Sequence, residues 1–294
     1  MKATFDIDPT LLDNAGEFTN SFFSRFKLRH APQPLCLSEK ISKNYLFPTL
    51  YGDVTCAMAV FMCSYEKAEK LMLHPAIKPV KMPLGRALVA FSCYEYKKVL
   101  GVAPYNEIAM TIPIMVDPGI NVPLLPMIAP IFKNFGYYVF SMPVTSQENN
   151  IRGHKIWGLP KVVQEIDIHE DGNECVTKAN AKTGKTYFEL RVPMTGKPTN
   201  FDVSSNLYTR LGDDFLQSET NFKAVFNVVK HPQLLWKKNA VADRTYLKIG
   251  DSREGHVLRE LEIEPRPFQT RFAKNMSSCF DLPNPTFQSP IEFK

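Results

Sequence analysis

Short runs of β-branched and aromatic residues, separated by turn-forming residues, dominate the pattern of apolar and polar positions along the chain. Seven of these runs predict strands, and the sequence Lys-Thr-Gly-Lys at 182–185 predicts a hairpin turn between two of them. Strands joined by short turns predict a mainly β fold (α+β), an antiparallel curved sheet or barrel with few helices. The predicted strands are residues 87–93, 107–116, 136–142, 162–169, 174–181, 186–192 and 222–230.

Two segments in the first quarter of the chain predict helices. Residues 14–26 have an amphipathic pattern. Ser64 can cap a second helix, in which Leu71 packs inward and which Pro75 ends.

A third, short helix is predicted just before an unusual turn. Thr145 and Glu148 have the spacing of a capping box, in which each side chain satisfies a backbone N–H of the other. Gly153 then predicts a left-handed C-terminal stop. The helix therefore leads directly into His-Lys-Ile-Trp-Gly-Leu-Pro-Lys, residues 154–161.

No repeat, low-complexity tract or linker divides the 294 residues. We therefore expect a single domain over residues 1–294, with an N-terminal helical segment. The last forty residues are rich in proline and aromatic residues, and we expect them to wrap the surface as a tail.

Composition excludes several classes of protein. The net charge of +5 is mild and dispersed, which argues against nucleic-acid binding. The most apolar region, residues 108–132, contains Asp117, Asn121 and five prolines, so it does not predict a membrane span. Six scattered cysteines without a Cys-x-x-Cys pair predict reduced thiols, and no secretory leader is visible, so we expect a cytoplasmic protein.

Motifs for bound cofactors are missing from the sequence. It contains no glycine-rich nucleotide loop, no His-Glu-x-x-His and no Gly-x-Ser-x-Gly. We expect neither a cofactor nor a metal. Two isolated features remain: Lys161, between a Gly-Leu-Pro turn and an apolar strand, and Glu107, at the start of a strand.

Taken alone, a lysine after a proline is usually a solvated turn residue, and a glutamate entering a strand is usually exposed. The surroundings of Lys161 are nevertheless apolar, with Trp157, Leu159 and Val163 among its neighbours. An ordinary lysine has a pKa of about 10.4, so only about one in 2,500 is neutral at pH 7. Burial in apolar surroundings lowers that pKa, and the neutral amine is the form that attacks a carbonyl.

These segments occur together and in the same order along the chain as in the acetoacetate decarboxylase family, and the sequence therefore resembles that family. The resemblance runs over about residues 50–170, through Arg-Ala-Leu-Val-Ala-Phe-Ser at 86–92, Tyr-Asn-Glu at 105–107 and Ile-Trp-Gly-Leu-Pro-Lys at 156–161. It implies an antiparallel β cone with flanking helices, assembled into a homo-oligomer. It also implies that Lys161 forms a Schiff base with a carbonyl substrate and that Glu107 is its acidic partner; that chemistry is a general use of desolvated lysines. The residues expected to contact the substrate are Tyr105, Met142, His154, Trp157 and Leu159.

Three departures from the family pattern bear on the reaction. Val162 stands where well-studied members have a second lysine, the predicted strand at 87–93 has no acid, and no arginine occurs from residue 30 to residue 85. These losses predict a less polar pocket and a substrate larger and more apolar than acetoacetate. Residues 121–132 could form a wall of that pocket, and they are equally consistent with an interface or with the core.

Two classes of function follow from these features. The first is a Schiff-base lyase for a keto acid or related carbonyl compound, acting as a decarboxylase or in aldolase or dehydratase chemistry. The second is a non-catalytic module that binds an apolar small molecule. Retention of Lys161 and Glu107 favours the first, and the departures favour the second.

Overall fold

The computed structural model describes residues 1–119, 121–128 and 132–293. Its helices are Tyr65–Glu69 (α1), Leu125–Ile128 (α2), Gln147–Trp157 (α3) and Arg253–Glu260 (α4), with 3₁₀ turns at Ala15–Glu17, Phe23–Arg25 and Pro232–Leu235. The strands are Arg29–His30 (β1), Leu35–Cys36 (β2), Ser42–Lys43 (β3), Leu46–Phe47 (β4), Thr49–Ser64 (β5), Ile77–Pro79 (β6), Arg86–Val99 (β7), Tyr105–Val116 (β8), Phe135–Val144 (β9), Lys161–Val163 (β10), Ile166–Asp171 (β11), Glu174–Asn180 (β12), Thr186–Pro193 (β13), Lys197–Leu211 (β14), Asp214–Lys230 (β15), Leu247–Ile249 (β16) and Gln269–Phe280 (β17).

Seven long strands close into a barrel in the order β9-β14-β15-β17-β5-β7-β8, and β8 pairs with β9 to complete the circle. All these pairings are antiparallel except β9 with β14. The short strand β10 also lies parallel to β9, after the crossover helix α3. The prediction of a mainly β fold with an antiparallel barrel and few helices is confirmed.

A second sheet, β11-β12-β13-β16, covers the outer face of the barrel along β17, β5, β7 and β8. The rings of Phe91 on β7 and Phe188 on β13 lie edge to face with centroids 5.2 Å apart. The inward-facing side chains of all seven barrel strands form a separate cluster, which defines the barrel interior.

The two faces of the central strands differ in exposure. On the outer face of β7 and β8, Phe91 and Ile108 are fully buried. On the inner face, Ser92 retains 5% and Ala109 8% of its surface, although both strands are paired on each side. Since successive strand residues point to opposite faces, the inner face borders space that water can enter.

Several strand predictions need correction. The predicted strand at 162–169 is two strands, because the chain leaves the barrel after β10 and enters the second sheet at β11. Strands β5, β14 and β17 were not predicted. Because β17 lies between β15 and β5 in the barrel, the expectation of a surface tail was wrong for these residues.

The helix predictions also differ from the structure. Residues 14–26 contain two short 3₁₀ turns instead of one helix, because the side chains of Asp13 and Asn20 accept backbone N–H groups and favour turns. Ser64 does cap α1, which ends at Glu69, well before Pro75.

The helix that precedes Lys161 is longer than predicted. Ser146, not Thr145, caps α3, and its side chain accepts the N–H of Asn149. The helix continues through Gly153 and ends at Gly158, whose φ of 62° is left-handed. Among the helices that the structure describes, none is long and apolar enough to cross a membrane.

Candidate active site

The two residues singled out by the sequence meet in the barrel interior. Lys161 Nζ donates a hydrogen bond of 2.7 Å to Glu107 Oε2, and each side chain is only 6% exposed. They come from β10 and β8, which lie on opposite sides of β9. The pair can therefore exchange a proton directly, away from bulk water.

The turn at the end of α3 sets the position of Lys161. Gly158 must be glycine because of its positive φ, and because a Cβ there would lie 2.0 Å from the backbone oxygen of Arg210. After this turn, Lys161 pairs with Met142 of β9 and its side chain points inward.

A second glycine makes room for the lysine side chain. A Cβ on Gly153 would lie 2.4 Å from Lys161 Cδ and 2.8 Å from Cε. Gly153 therefore lets the aliphatic part of Lys161 pass against α3. This explains a glycine inside a helix, where it otherwise costs about 1 kcal/mol relative to alanine.

Burial lowers the pKa of Lys161 below its ordinary value. The nearby Glu107 carboxylate acts in the opposite direction, and the positive charge of Arg152 adds to the lowering. Desolvation is the largest of these causes. The site therefore favours a neutral amine more than water does, even though a carboxylate is in contact.

Val162, which stands where well-studied family members have a second lysine, faces outward. Val162 is 43% exposed, as expected for the residue after an inward-facing one in a strand. Lys155, on α3, is also exposed and donates to the backbone oxygen of Cys36. A cation at either position would be screened by solvent, so desolvation accounts for most of the shift at Lys161.

Four tyrosines in mutual ring contact line the interior beside the pair. The rings of Tyr51 and Tyr96 have centroids 4.5 Å apart, those of Tyr96 and Tyr105 4.9 Å, and those of Tyr94 and Tyr96 5.2 Å. Tyr96 Oη donates a long hydrogen bond of 3.4 Å to Glu107 Oε1. Burial raises the pKa of each phenol, so they act here as neutral hydrogen-bond donors.

Arg152 of α3 is the largest fully buried side chain near the site. It donates to Asn149 Oδ1 at 3.1 Å and to Thr49 Oγ1 at 2.8 Å, and it lies over the ring of Tyr45. Its Nε has no partner, and among the described residues no acidic side chain pairs with it. Glu148, one turn earlier, is engaged with Lys43 and Tyr45 instead.

The five residues predicted to contact the substrate divide into three groups. Tyr105 and Met142 lie in the interior beside Lys161, and the Lys161 nitrogen is 5.8 Å from the Tyr105 ring centroid. Within the described part of the chain, Tyr105 Oη has no hydrogen-bond partner. Leu159 and Trp157 are buried in the interior cluster. The indole N–H of Trp157 donates a hydrogen bond to the backbone oxygen of Asp281, so it is already engaged.

His154 does not fit the prediction. It is exposed, and its Nε2 lies 2.7 Å from the backbone oxygen of Lys161. Because α3 continues past Gly153, His154 falls on the outer side of the helix. It can hold the turn but it does not line the interior.

The apolar stretch 121–132 was a possible pocket wall. Leu124 and Met127 of its described part pack against Met62 and Leu88, which lie on the inward faces of β5 and β7 near the Ser64 end of β5. The role of this stretch as a wall therefore stays a prediction. Residues 129–131 lie outside the described residues.

Sequence reasoning identified Tyr105 but missed Tyr51, Tyr94 and Tyr96, and it missed Gly153 as a space for Lys161. Tyr94 had a usable signal: β7 and β8 form a hairpin, and counting back from its turn pairs Tyr94 with Glu107. Arg152 is nine residues before Lys161 in the sequence, so a nearby charge could be expected, but its contacts in the interior follow from the fold. Among the described residues, no group of three or more His, Cys, Asp or Glu side chains is arranged to hold a metal.

Comparison with known proteins agrees with this fold. The sequence model for acetoacetate decarboxylase (ADC) matches residues 33–231. No curated protein matches the chain. Among solved structures, acetoacetate decarboxylase from Legionella pneumophila subsp. pneumophila str. Philadelphia 1 superposes with a TM-score of 0.58 at 10% identity, over 90% of this chain and 93% of its own.

Two further structures are similar at the same low level of identity. One is another acetoacetate decarboxylase, with a TM-score of 0.52 and 12% identity over 80% of this chain and 87% of its own. The other is the enduracididine biosynthesis enzyme MppR complexed with pyruvate, with a TM-score of 0.54 and 11% identity over 80% and 90%. These likenesses establish a shared fold, and the sequence model covers more than half of the chain. The protein therefore belongs to the acetoacetate decarboxylase family.

Proposed function

We propose that the protein forms a Schiff base between Lys161 and the carbonyl group of a keto acid and acts as a lyase on a neighbouring bond. The observation that carries this proposal is the buried contact of 2.7 Å between Lys161 and Glu107 at the edge of a water-accessible interior. A structural ion pair would not need a lysine whose pKa is lowered by burial and a glycine that makes room for its side chain.

The two residues would divide the first steps between them. Glu107 takes a proton from Lys161, and the neutral amine attacks the carbonyl carbon to give a carbinolamine. Glu107 returns the proton to the hydroxyl group, which leaves as water, and a protonated imine remains. Tyr96, which donates to the other oxygen of Glu107, holds the carboxylate in place.

The protonated imine then accepts an electron pair. In a β-keto acid, the bond to the carboxylate breaks, CO2 leaves, and the bonding pair gives an enamine. Protonation at carbon and hydrolysis release the ketone and free Lys161. The same imine and enamine serve aldol cleavage or dehydration, so the rest of the interior selects the reaction.

Arg152 supports a keto acid as the substrate class. Although no arginine occurs between residues 30 and 85, α3 brings this one to the interior by another route. A guanidinium is charged at all ordinary pH values, and a buried charge needs a partner. A substrate carboxylate would supply the acceptor that Arg152 lacks among the described residues. On this proposal, Arg152 makes the pocket more polar than the three sequence departures predicted.

The assembly and the location stay predictions from the sequence and the resemblance. We propose a homo-oligomer in the cytoplasm that acts on a small-molecule carbonyl compound and neither binds nucleic acid nor spans a membrane. Gel filtration with light scattering measures the oligomeric state directly.

Borohydride trapping tests the proposed function. Incubation with a series of 2-keto and 3-keto acids, followed by borohydride reduction, should add the reduced ligand mass to the peptide that contains Lys161. Each acid should label faster than the neutral ketone with the same carbon skeleton, because the ketone lacks the charge that Arg152 would bind. Peptide mass spectrometry locates the modified residue.

Two results would contradict the proposal. Labelling on another lysine would remove Lys161 as the nucleophile. If no keto acid, ketone or β-diketone labels the protein, the imine mechanism is wrong. The function left in that case is the non-catalytic module for an apolar small molecule.

Gly153→Ala should slow labelling by about 10²-fold, the order of effect expected when a reacting group is displaced by about 1 Å. The added methyl group would overlap Lys161 Cδ, so the side chain must move. The free energy of unfolding should fall by about 1–3 kcal/mol, the usual cost of overpacking a buried site, offset in part by the better helix propensity of alanine. Lys155→Ala, an exposed change in the same helix, is the control and should label at the wild-type rate. Wild-type labelling by Gly153→Ala would show that Lys161 does not need this space.

A further inference from the structure

A second arginine enters the barrel interior from the strand β17. In the sheet, Arg271 pairs with Met58 of β5 and Val228 of β15, so its side chain is on the inward face with theirs. Its guanidinium lies over the ring of Phe201, with the carbon 4.6 Å from the ring centroid. It therefore lines the same interior as the Lys161–Glu107 pair, from another part of the wall.

The hydrogen bonds of Arg271 leave most of its donors free. Its Nε and one N–H of Nη2 both donate to Gln269 Oε1, at 3.0 and 2.7 Å. An arginine has five N–H groups, so three have no protein acceptor among the described residues. No carboxylate pairs with it in the described part of the chain, and Gln269 is a neutral partner on the same strand.

Arg271 is half-buried, so part of its charge is withdrawn from water without a carboxylate partner among the described residues. Burial lowers the pKa of Arg271, and the nearby Tyr137, Cys56 and Tyr94 side chains oppose the shift. Tyr137 stands on β9, three strands away around the barrel, so the guanidinium reaches across the interior. A planar group with free parallel N–H donors matches a carboxylate in geometry and charge.

Arg271 and the Lys161–Glu107 pair lie on the inward face of the same sheet, and Tyr94 is near both of them. Tyr94 is the direct cross-strand partner of Glu107 on one side and of Cys56 on the other. It is also one of the side chains near Arg271. Between them lie the small side chains of Ser92 and Ala109, both of which retain some exposure. A molecule bound at Lys161 can therefore extend toward Arg271 past Tyr94.

We propose that Arg271 binds a second anionic group at the far end of the substrate, so that the substrate is a keto acid with acidic groups at both ends. Arg152 holds the acid near the carbonyl and Arg271 holds the distal one. This inference rests on the proposed function for the carbonyl end. In this proposal, Arg271 determines which keto acids bind, and it takes no part in breaking the bond.

Dicarboxylates without a carbonyl group test this inference separately from imine formation. Isothermal titration calorimetry would compare malonate, succinate, glutarate and adipate with the monocarboxylates of equal length. At least one dicarboxylate should bind about 10- to 100-fold more tightly than its monocarboxylate, as expected for one added charge-assisted contact.

Variants of Arg271 decide whether it is responsible. Arg271→Met should bring the affinity of each dicarboxylate down to that of the monocarboxylate of equal length, whereas Arg271→Lys should keep part of the difference. Arg253→Met, an equal charge change at an exposed position of α4, should behave as wild type. Circular dichroism and thermal unfolding check that each variant is folded.

Two outcomes overturn the inference. One is a wild-type protein with no preference for any dicarboxylate, and the other is a preference that folded Arg271→Met retains. Because the probes cannot form imines, neither outcome bears on Lys161. If Arg271→Met does not fold, the trapping rates of keto monoacids and keto diacids by Arg271→Lys and wild type give the same comparison. Equal ratios in these two proteins would overturn the inference.

Discussion

Replacing Lys161 with alanine should abolish borohydride labelling and reduce turnover to the background rate, because no other amine in the described residues contacts Glu107. The same change should also destabilise the fold. It leaves a buried carboxylate without its cation, which costs roughly 3–5 kcal/mol when one partner of a buried pair is removed. Urea unfolding measures this loss.

A double variant separates the two effects. Lys161→Met with Glu107→Gln removes both charges and keeps side chains of similar length, so it should recover most of the lost stability while staying inactive. Persistent labelling in Lys161→Ala would contradict the assignment of the nucleophile. Equal stability of Lys161→Ala and wild type would contradict the view that the pair is desolvated.

Glu107→Gln should lower turnover by about 10²–10⁴-fold, the usual contribution of a positioned acid–base group. Glutamine keeps the shape of the side chain but cannot carry the proton between Lys161 and the carbinolamine. Glu95→Gln, on the adjacent strand β7, is the matched control and should retain wild-type turnover. Near-native turnover by Glu107→Gln would remove Glu107 from the mechanism.

The same variant should shift the pH dependence of imine formation in a defined direction. Glu107 raises the pKa of Lys161, against the stronger lowering by burial. Without the carboxylate, the pKa of Lys161 should fall further, so the amine becomes neutral at lower pH. The pH at half-maximal labelling should therefore move down in Glu107→Gln even as turnover falls. A move upward would show that the Glu107 carboxylate does not raise the pKa of Lys161.

The sequence predicted those parts of the fold that local patterns specify. Strands β7, β8, β9, β12 and β13 have apolar runs between clear turns, and each was found. Strand β17 has lysine, asparagine and serine in its middle and was missed, because its burial comes from strands β5 and β15 at distant positions of the chain. Helix α3 was predicted too short, because a glycine such as Gly153 usually marks the C-terminal end of a helix. The sequence alone does not show that Gly153 instead makes room for the Lys161 side chain.

The candidate site was predictable where a short motif carries it. The motifs pointed to Lys161 and Glu107, and the structure places them in contact. The charges around them were less predictable. Arg152 and Arg271 lie on a helix and on a late strand, and only barrel closure brings both to one interior. The expectation of a less polar pocket, which came from a position-by-position comparison with the family, did not include these two charges and stays a prediction.

The crossover from β9 through α3 to β10 has a consequence for how the protein folds. The Lys161–Glu107 pair spans 54 residues, and the three strands that position it follow one another in the chain. Trp157, which ends the helix, is held by the backbone oxygen of Asp281, 124 residues away. Local contacts form early, whereas contacts distant in sequence wait for loop closure. The reactive amine and its proton acceptor should thus come together before the barrel closes, and the pocket should reach its final shape only when the last strand is added.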